Sequence, residues 1–111
     1  MNAALHPSLE DSLSLLIEEL RHSAVERDRA GGHAAEEKER IREAGLLRLS
    51  IPPGYGGLGL PWPGIYRVVR RVAAVDSALA HLLAFHHLQV ATVLIYGDGD
   101  QRRRWLTRTI E

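Results

Sequence analysis

The chain has 111 residues, enough for one small domain. With 45% hydrophobic and 25% charged residues it is neither disordered nor collagen-like, and the lack of cysteine excludes disulfides and thiolate metal sites. Fourteen Lys+Arg balance fourteen Asp+Glu, which leaves no global pull toward nucleic acid. The charge is uneven along the chain. Residues 1–55 hold ten acids and seven bases, and residues 56–111 hold four and seven, a pattern that suits an acidic face meeting a basic one. The first twenty residues carry no basic n-region and no small-residue cleavage site, so no signal peptide is read and a cytoplasmic location is expected.

Five helices and no strand are predicted. The first covers about residues 8–25, where Leu9, Leu13, Leu16, Ile17, Leu20 and Ala24 recur at spacings of three and four. Ser8 with Asp11 reads as its N-terminal cap, Pro7 lying just outside. Glu18, Glu19, Arg21, Glu26 and Arg27 fall off the stripe and read as a solvated face. Gly31 and Gly32 break the helix. The second spans about residues 34–44 and ends at Gly45, with Glu36–Arg40 and Glu39–Arg42 as side-chain pairs. Its buried edge is Ile41 and Ala44, continued by Leu46, Leu47 and Leu49. The run SIPPGYGGLGLPWPG follows, and four prolines and five glycines in fifteen residues make it a loop.

A third helix starts near Pro63, with Ile65, Val68, Val69 and Val72 inward and Arg67, Arg70 and Arg71 facing away. Asp76-Ser77 caps the fourth, about residues 78–96, which is apolar nearly all round. Leu79, Leu82, Leu83, Val90, Val93 and Leu94 line one side, and Ala80, Ala84, Ala91 and Ile95 another, which predicts a central, buried helix. It is barely long enough to cross a bilayer, and His81, His86, His87 and Gln89 speak for a core helix instead. Asp98 and Gln101 form a capping box for a fifth helix through Arg102, Trp105 and Ile110. No terminating residue follows Ile110, so the chain reads as cut from something longer. The expected fold is an all-α, orthogonally packed bundle of about five helices.

Motif chemistry is sparse. Gly54, Gly56 and Gly59 spell G-x-G-x-x-G with Asp76 some twenty residues on, but prolines on both sides leave no strand–turn–helix for a dinucleotide. His81, His86 and His87 lack the i,i+3 or i,i+4 spacing of helix-borne metal ligands, and no metal is expected. Each imidazole on a core helix still requires a hydrogen-bond partner, and a satisfied core histidine is the bland reading for all three. Arg102, Arg103, Arg104 and Arg108 around Trp105 read as a solvated or interdomain face, with no nucleic-acid and no membrane partner expected.

Three stretches carry a resemblance. AVERDRAGG (residues 24–32), REAGLLRLSIPPGYGGLG (residues 42–59) and RRVAAVDSALAHLLAFHHLQ (residues 70–89) resemble the N-terminal helical domain of the acyl-CoA dehydrogenase superfamily. The hallmark is the run from Gly45 through Pro52, Tyr55, Gly56 and Gly57 to Gly59, then Ala73 to Ala78. Within the superfamily the chain is most similar to the flavin-dependent monooxygenases of the dibenzothiophene type, which share the E-R-D-R-A-G-G turn and the pair Phe85-His86.

The resemblance implies residues 1–111 as an N-terminal domain, with a middle β-domain and a C-terminal helical bundle absent, and a homotetramer at full length. It implies FAD or FMN, held mainly by the missing domains, with a small-molecule substrate. No flavin is expected to bind this chain alone. In the monooxygenase branch, reduced flavin from a separate reductase activates oxygen to oxidise sulfur or nitrogen. By the same resemblance His86 is the candidate catalytic residue, its N–H bonding the reacting oxygen or polarising the heteroatom, and Phe85 lines the substrate cavity. His87 stands where an apolar residue is expected. The loop reads as architectural: Gly56 and Gly57 permit positive φ, and Tyr55 buries its ring while its hydroxyl finds a backbone partner. The competing reading is a non-catalytic helical interaction module with this fold.

Overall fold

The computed structural model describes residues 5–111, which form five α-helices and two short 3-10 turns, with no strand among the described residues. Helix α1 is Pro7–Ala30, α2 is Ala35–Glu43, α3 is Trp62–Ala73, α4 is Ser77–Tyr96 and α5 is Gly99–Ile110. The 3-10 turns Leu46–Arg48 and Pro53–Tyr55 lie between α2 and α3.

The start of α1 differs from expectation. Its cap is His6, whose ring Nδ1 accepts from the Ser8 N–H at 3.3 Å, and Ser8 is already helical. Pro7 explains the shift, because its fixed φ and missing N–H suit the first helical position. The helix also runs five residues past Val25, with no breaker before Gly31 (φ +69°). Arg27 steadies this extension and is not on a solvated face. It lies 2.7 Å from Asp76 and 3.5 Å from Glu37, pinning α1 to α2 and to the start of α4. Arg71 likewise turns inward, to Glu10 and to Ser14 at 3.1 Å on α1. Arg67 and Arg70 are exposed as expected.

The main core gathers Leu13, Leu16, Ile17 and Leu20 of α1, Ile41 of α2, Ile65, Val68 and Val72 of α3, and Leu79, Ala80 and Leu83 of α4. A second, smaller cluster of Ile51, Val90 and Leu106 fastens α5 and the loop to the far end of α4. Gly45 ends α2 in the left-handed region (φ +81°), and the Asp98–Gln101 capping box opens α5. The Asp76 carboxylate accepts from the Leu79 N–H at 3.1 Å and caps α4.

The Gly/Pro loop folds back on the segment that follows α2. Leu58 N–H donates to Arg48 O (3.0 Å), Gly59 N–H to Ile51 O (2.8 Å) and Leu60 N–H to Leu49 O (2.7 Å). Gly57 is required for a close approach and not for positive φ: a Cβ there would stand 2.0 Å from the Ile51 carbonyl oxygen. Gly56 and Gly59 do adopt positive φ, +89° and +61°. The Tyr55 ring is half-buried against the second cluster, and its hydroxyl makes no hydrogen bond among the described residues, contrary to expectation. The loop thus joins the end of α2 to the start of α3, as expected, and also seats α5.

The domain is flat, 43 × 33 × 19 Å, about two helices thick at its thinnest. Such a slab cannot cover both sides of α4. Leu79, Ala80, Leu83, His87 and Val90 are buried, while Leu82, Phe85, Leu88, Ile95 and Tyr96 are exposed. The helix is therefore central in connectivity but buried on one side only. It is long and apolar enough to cross a membrane, yet its inner side is core.

Candidate functional site

The two adjacent histidines of α4 point to consecutive backbone carbonyls in the turn Leu46–Arg48. His86 Nε2–H donates to Leu47 O at 2.8 Å, and His87 Nε2–H donates to Leu46 O at 2.9 Å. These carbonyls follow the left-handed Gly45, where the chain leaves α2 and its helical acceptor pattern. His87 is fully buried, and burial first, then the neighbouring His86, pushes its pKa down to about 4. It is a neutral core histidine at physiological pH. His81 departs from the bland reading: it is exposed and stacks on Phe85, ring centroids 4.7 Å apart.

His86 is half-buried and lines a groove of about 310 Å³ between α4 and α5, with Gln89, Val93, Trp105 and Thr109. Phe85 is 51% exposed and stands outside that groove, on the bare side of α4. The structure therefore separates the two sequence-predicted site residues onto neighbouring faces. With Nε2–H engaged by Leu47, the nitrogen of His86 left free is Nδ1, an acceptor in the neutral ring and a donor only when protonated. The N–H expected to meet a substrate is already taken.

The sequence placed Trp105 on a solvated or interdomain face and gave Ser50 no role. Trp105 walls the groove, with the Arg104 and Arg108 guanidinium groups 5.4 and 5.6 Å from its ring centre. Ser50 Oγ lies 2.6 Å from His87 Nδ1. Arg102 leaves the expected arginine face and donates to Leu94 O at 2.9 Å, near the C-terminal end of α4. A larger groove, about 570 Å³, opens beside Arg27, Glu37 and Asp76, but those three side chains are engaged with one another in ion pairs. Among the described residues no three His, Asp or Glu side chains converge as metal ligands. G-x-G-x-x-G falls in the turn Pro53–Tyr55 and the loop after it, without the strand a dinucleotide site requires. The residues that line the His86 groove all lie on α4 and α5 and form a single wall.

Comparison with known proteins places this wall. The acyl-CoA dehydrogenase N-terminal domain family matches residues 10–111. A "probable FMNH2-dependent monooxygenase" of Pseudomonas putida is 39% identical over 98% of this chain and 28% of its own length. Dibenzothiophene monooxygenase of Rhodococcus erythropolis is 43% identical over 84% of this chain and 22% of its own. Among solved structures, methanesulfinate monooxygenase of Pseudomonas fluorescens superposes with a TM-score of 0.85 at 42% identity, over 96% of this chain and 27% of that one. The dibenzothiophene monooxygenase of Paenibacillus sp. A11-2, solved with FMN and indole, gives 0.86 at 35% identity, over 95% and 26%. This chain spans about a quarter of the length of the relatives it matches. With its helices, loop and core all accounted for on that pattern, the chain belongs to the acyl-CoA dehydrogenase N-terminal domain family.

Proposed function

We propose that the chain serves as the N-terminal pocket domain of an FMN-dependent monooxygenase that oxidises a small organosulfur compound. The observation that carries this is the match over nearly the whole chain to FMNH2-dependent and sulfur-compound monooxygenases, in sequence and in shape. Reduced FMN, when bound, supplies two electrons that deliver one atom of dioxygen to sulfur and the other to water. The domains that hold it, and a homotetrameric assembly, belong to the longer protein this reading requires. FMN is preferred to FAD because FMN is the flavin named for the relatives. Here His86 accepts or returns a proton at Nδ1 beside the reacting atoms, and Phe85 packs against substrate. The bare side of α4 abuts the remaining domains, which favours a pocket wall over a free-standing interaction module.

The test uses the full-length protein carrying this sequence, a flavin reductase, NADH and ¹⁸O-labelled dioxygen. Methanesulfinate, dibenzothiophene and an acyl-CoA are offered in parallel. One labelled oxygen per turnover in a sulfur product supports the reading. Acyl-CoA dehydrogenation without oxygen incorporation overturns it.

A further inference from the structure

Two consecutive side chains of α4 hold two consecutive carbonyls, but they are held differently themselves. A carbonyl oxygen only accepts, so the Nε2 of both His86 and His87 carries its proton toward the turn Leu46–Arg48. His87 then presents a bare Nδ1, and the Ser50 hydroxyl donates to it at 2.6 Å. With both nitrogens engaged and no exposure, the His87 ring can neither flip nor change tautomer without breaking a hydrogen bond. Its edge meets the His86 ring, centroids 4.8 Å apart and planes at 76°. His86 is fixed by one nitrogen alone. The second imidazole torsion is broad and two-fold, so a helix by itself does not choose which ring nitrogen faces out.

We propose that His87 and Ser50 are positioning residues for His86: they anchor the turn and the ring edge so that Nε2 stays on Leu47 and Nδ1 meets the reacting molecule. This rests on the reading of His86 as a residue of the reaction chamber. It deepens that reading by assigning the working atom. Nδ1 of His86 is then the atom that takes the proton from the reacting molecule and returns it, while Nε2 stays on the Leu47 carbonyl. His87 occupies the place where an apolar residue was expected because the turn requires a donor there; the Leu46 carbonyl dictates which of its nitrogens donates, and the Ser50 hydroxyl holds the other.

Ring-nitrogen NMR on the ¹⁵N-histidine-labelled chain reads the tautomers directly. In the wild type, His86 and His87 are both expected in the Nε2–H form. His87→Leu keeps the volume but removes the donor, and His86 should become a mixture of tautomers. His87→Gln restores a donor near the Nε2 position and should return His86 to Nε2–H. Ser50→Ala, which leaves the core volume nearly unchanged, should move His86 part of the way. A wild-type His86 in the Nδ1–H form overturns the proposal, as does a His86 indifferent to both His87→Leu and Ser50→Ala. In the full-length enzyme, His87→Leu should lower kcat about tenfold or more with KM within about twofold, and His87→Gln should recover most of it. If His86→Ala leaves turnover intact while the ring nitrogens behave as stated, the premise about the reaction chamber fails and the clamp is structural only. If His86→Ala abolishes turnover but the His86 tautomer ignores its neighbours, the clamp fails and the premise stands.

Discussion

Leu79, Ala80, Leu83, His87 and Val90 on one side of α4 are buried, whereas Leu82, Phe85, Leu88, Ile95 and Tyr96 on the other are 48% to 83% exposed. The two sides share residue types, and the fully buried imidazole sits on the inner one. Apolar character alone therefore does not say which way α4 faces. What separates the sides is partnership: core side chains from α1 and α3 and the carbonyls of one turn meet the inner side, and among the described residues no core cluster covers the outer. On the proposed reading the inner side serves stability and the outer recognition, a division that substitutions can break.

The largest contrast is expected between Leu83 and Leu88. Leu83→Ala leaves a cavity in the main core and should cost about 2–5 kcal/mol. Leu88→Ala, on a residue already 49% exposed, should stay within about 0.5–1 kcal/mol. Urea unfolding of both variants checks this, and equal losses would erase the distinction. A comparable effect comes from acid. The folded pKa of His87 is depressed from 6.5 to about 4, so the unfolded chain takes up the proton first as pH falls. Its contribution is complete above about pH 6.5 and is lost as pH drops toward about 4, a total of about 3 kcal/mol. His87→Gln should flatten that part of the stability–pH curve, measured from unfolding midpoints at several pH values.

The loop supplies a sharper pair. Gly57→Ala drives a Cβ into the Ile51 carbonyl and should cost about 2 kcal/mol or more, whereas Gly45→Ala meets open space and pays only the left-handed strain, about 1 kcal/mol. Thermal melts of the two variants order them, and Gly45→Ala as the worse would contradict the close-approach account. An effect as small as that of Gly45→Ala is expected at Asp98→Ala, which removes one half of the α5 capping box and should cost about 1 kcal/mol, read from the same thermal melts.

Much of the fold was legible in the sequence, for physical reasons visible at single residues. Gly31 and Gly45 mark helix ends because their φ is positive, Gly97 because a Cβ there would stand 2.5 Å from the Val93 carbonyl oxygen, and Asp76 and Asp98 mark starts because orphan N–H groups need acceptors. What stayed hidden was tertiary. Arg27 and Arg71 look like solvated charges in one dimension, and only folding brings Asp76 and Glu10 to them. The apolar periodicity of α4 could not reveal a bare side, since an exposed leucine and a buried one look alike in sequence. At the site, the need of His86 and His87 for hydrogen-bond partners could be foreseen. Their common acceptor turn, and the split between Phe85 and His86, depend on how α4 is rotated against that turn.

On the proposed reading His86, beside the bare side of α4, serves the reaction, while His87, on the inner side, serves the fold and holds the His86 ring. The most direct measurement is turnover beside melting temperature for His86→Ala in the full-length flavoprotein. Loss of a positioned imidazole should lower turnover by about ten- to a thousandfold. The same change should cost no more than about 1–2 kcal/mol of stability, because only one hydrogen bond to Leu47 is lost. Unchanged turnover together with a large drop in melting temperature would contradict the account and make His86 a second structural histidine.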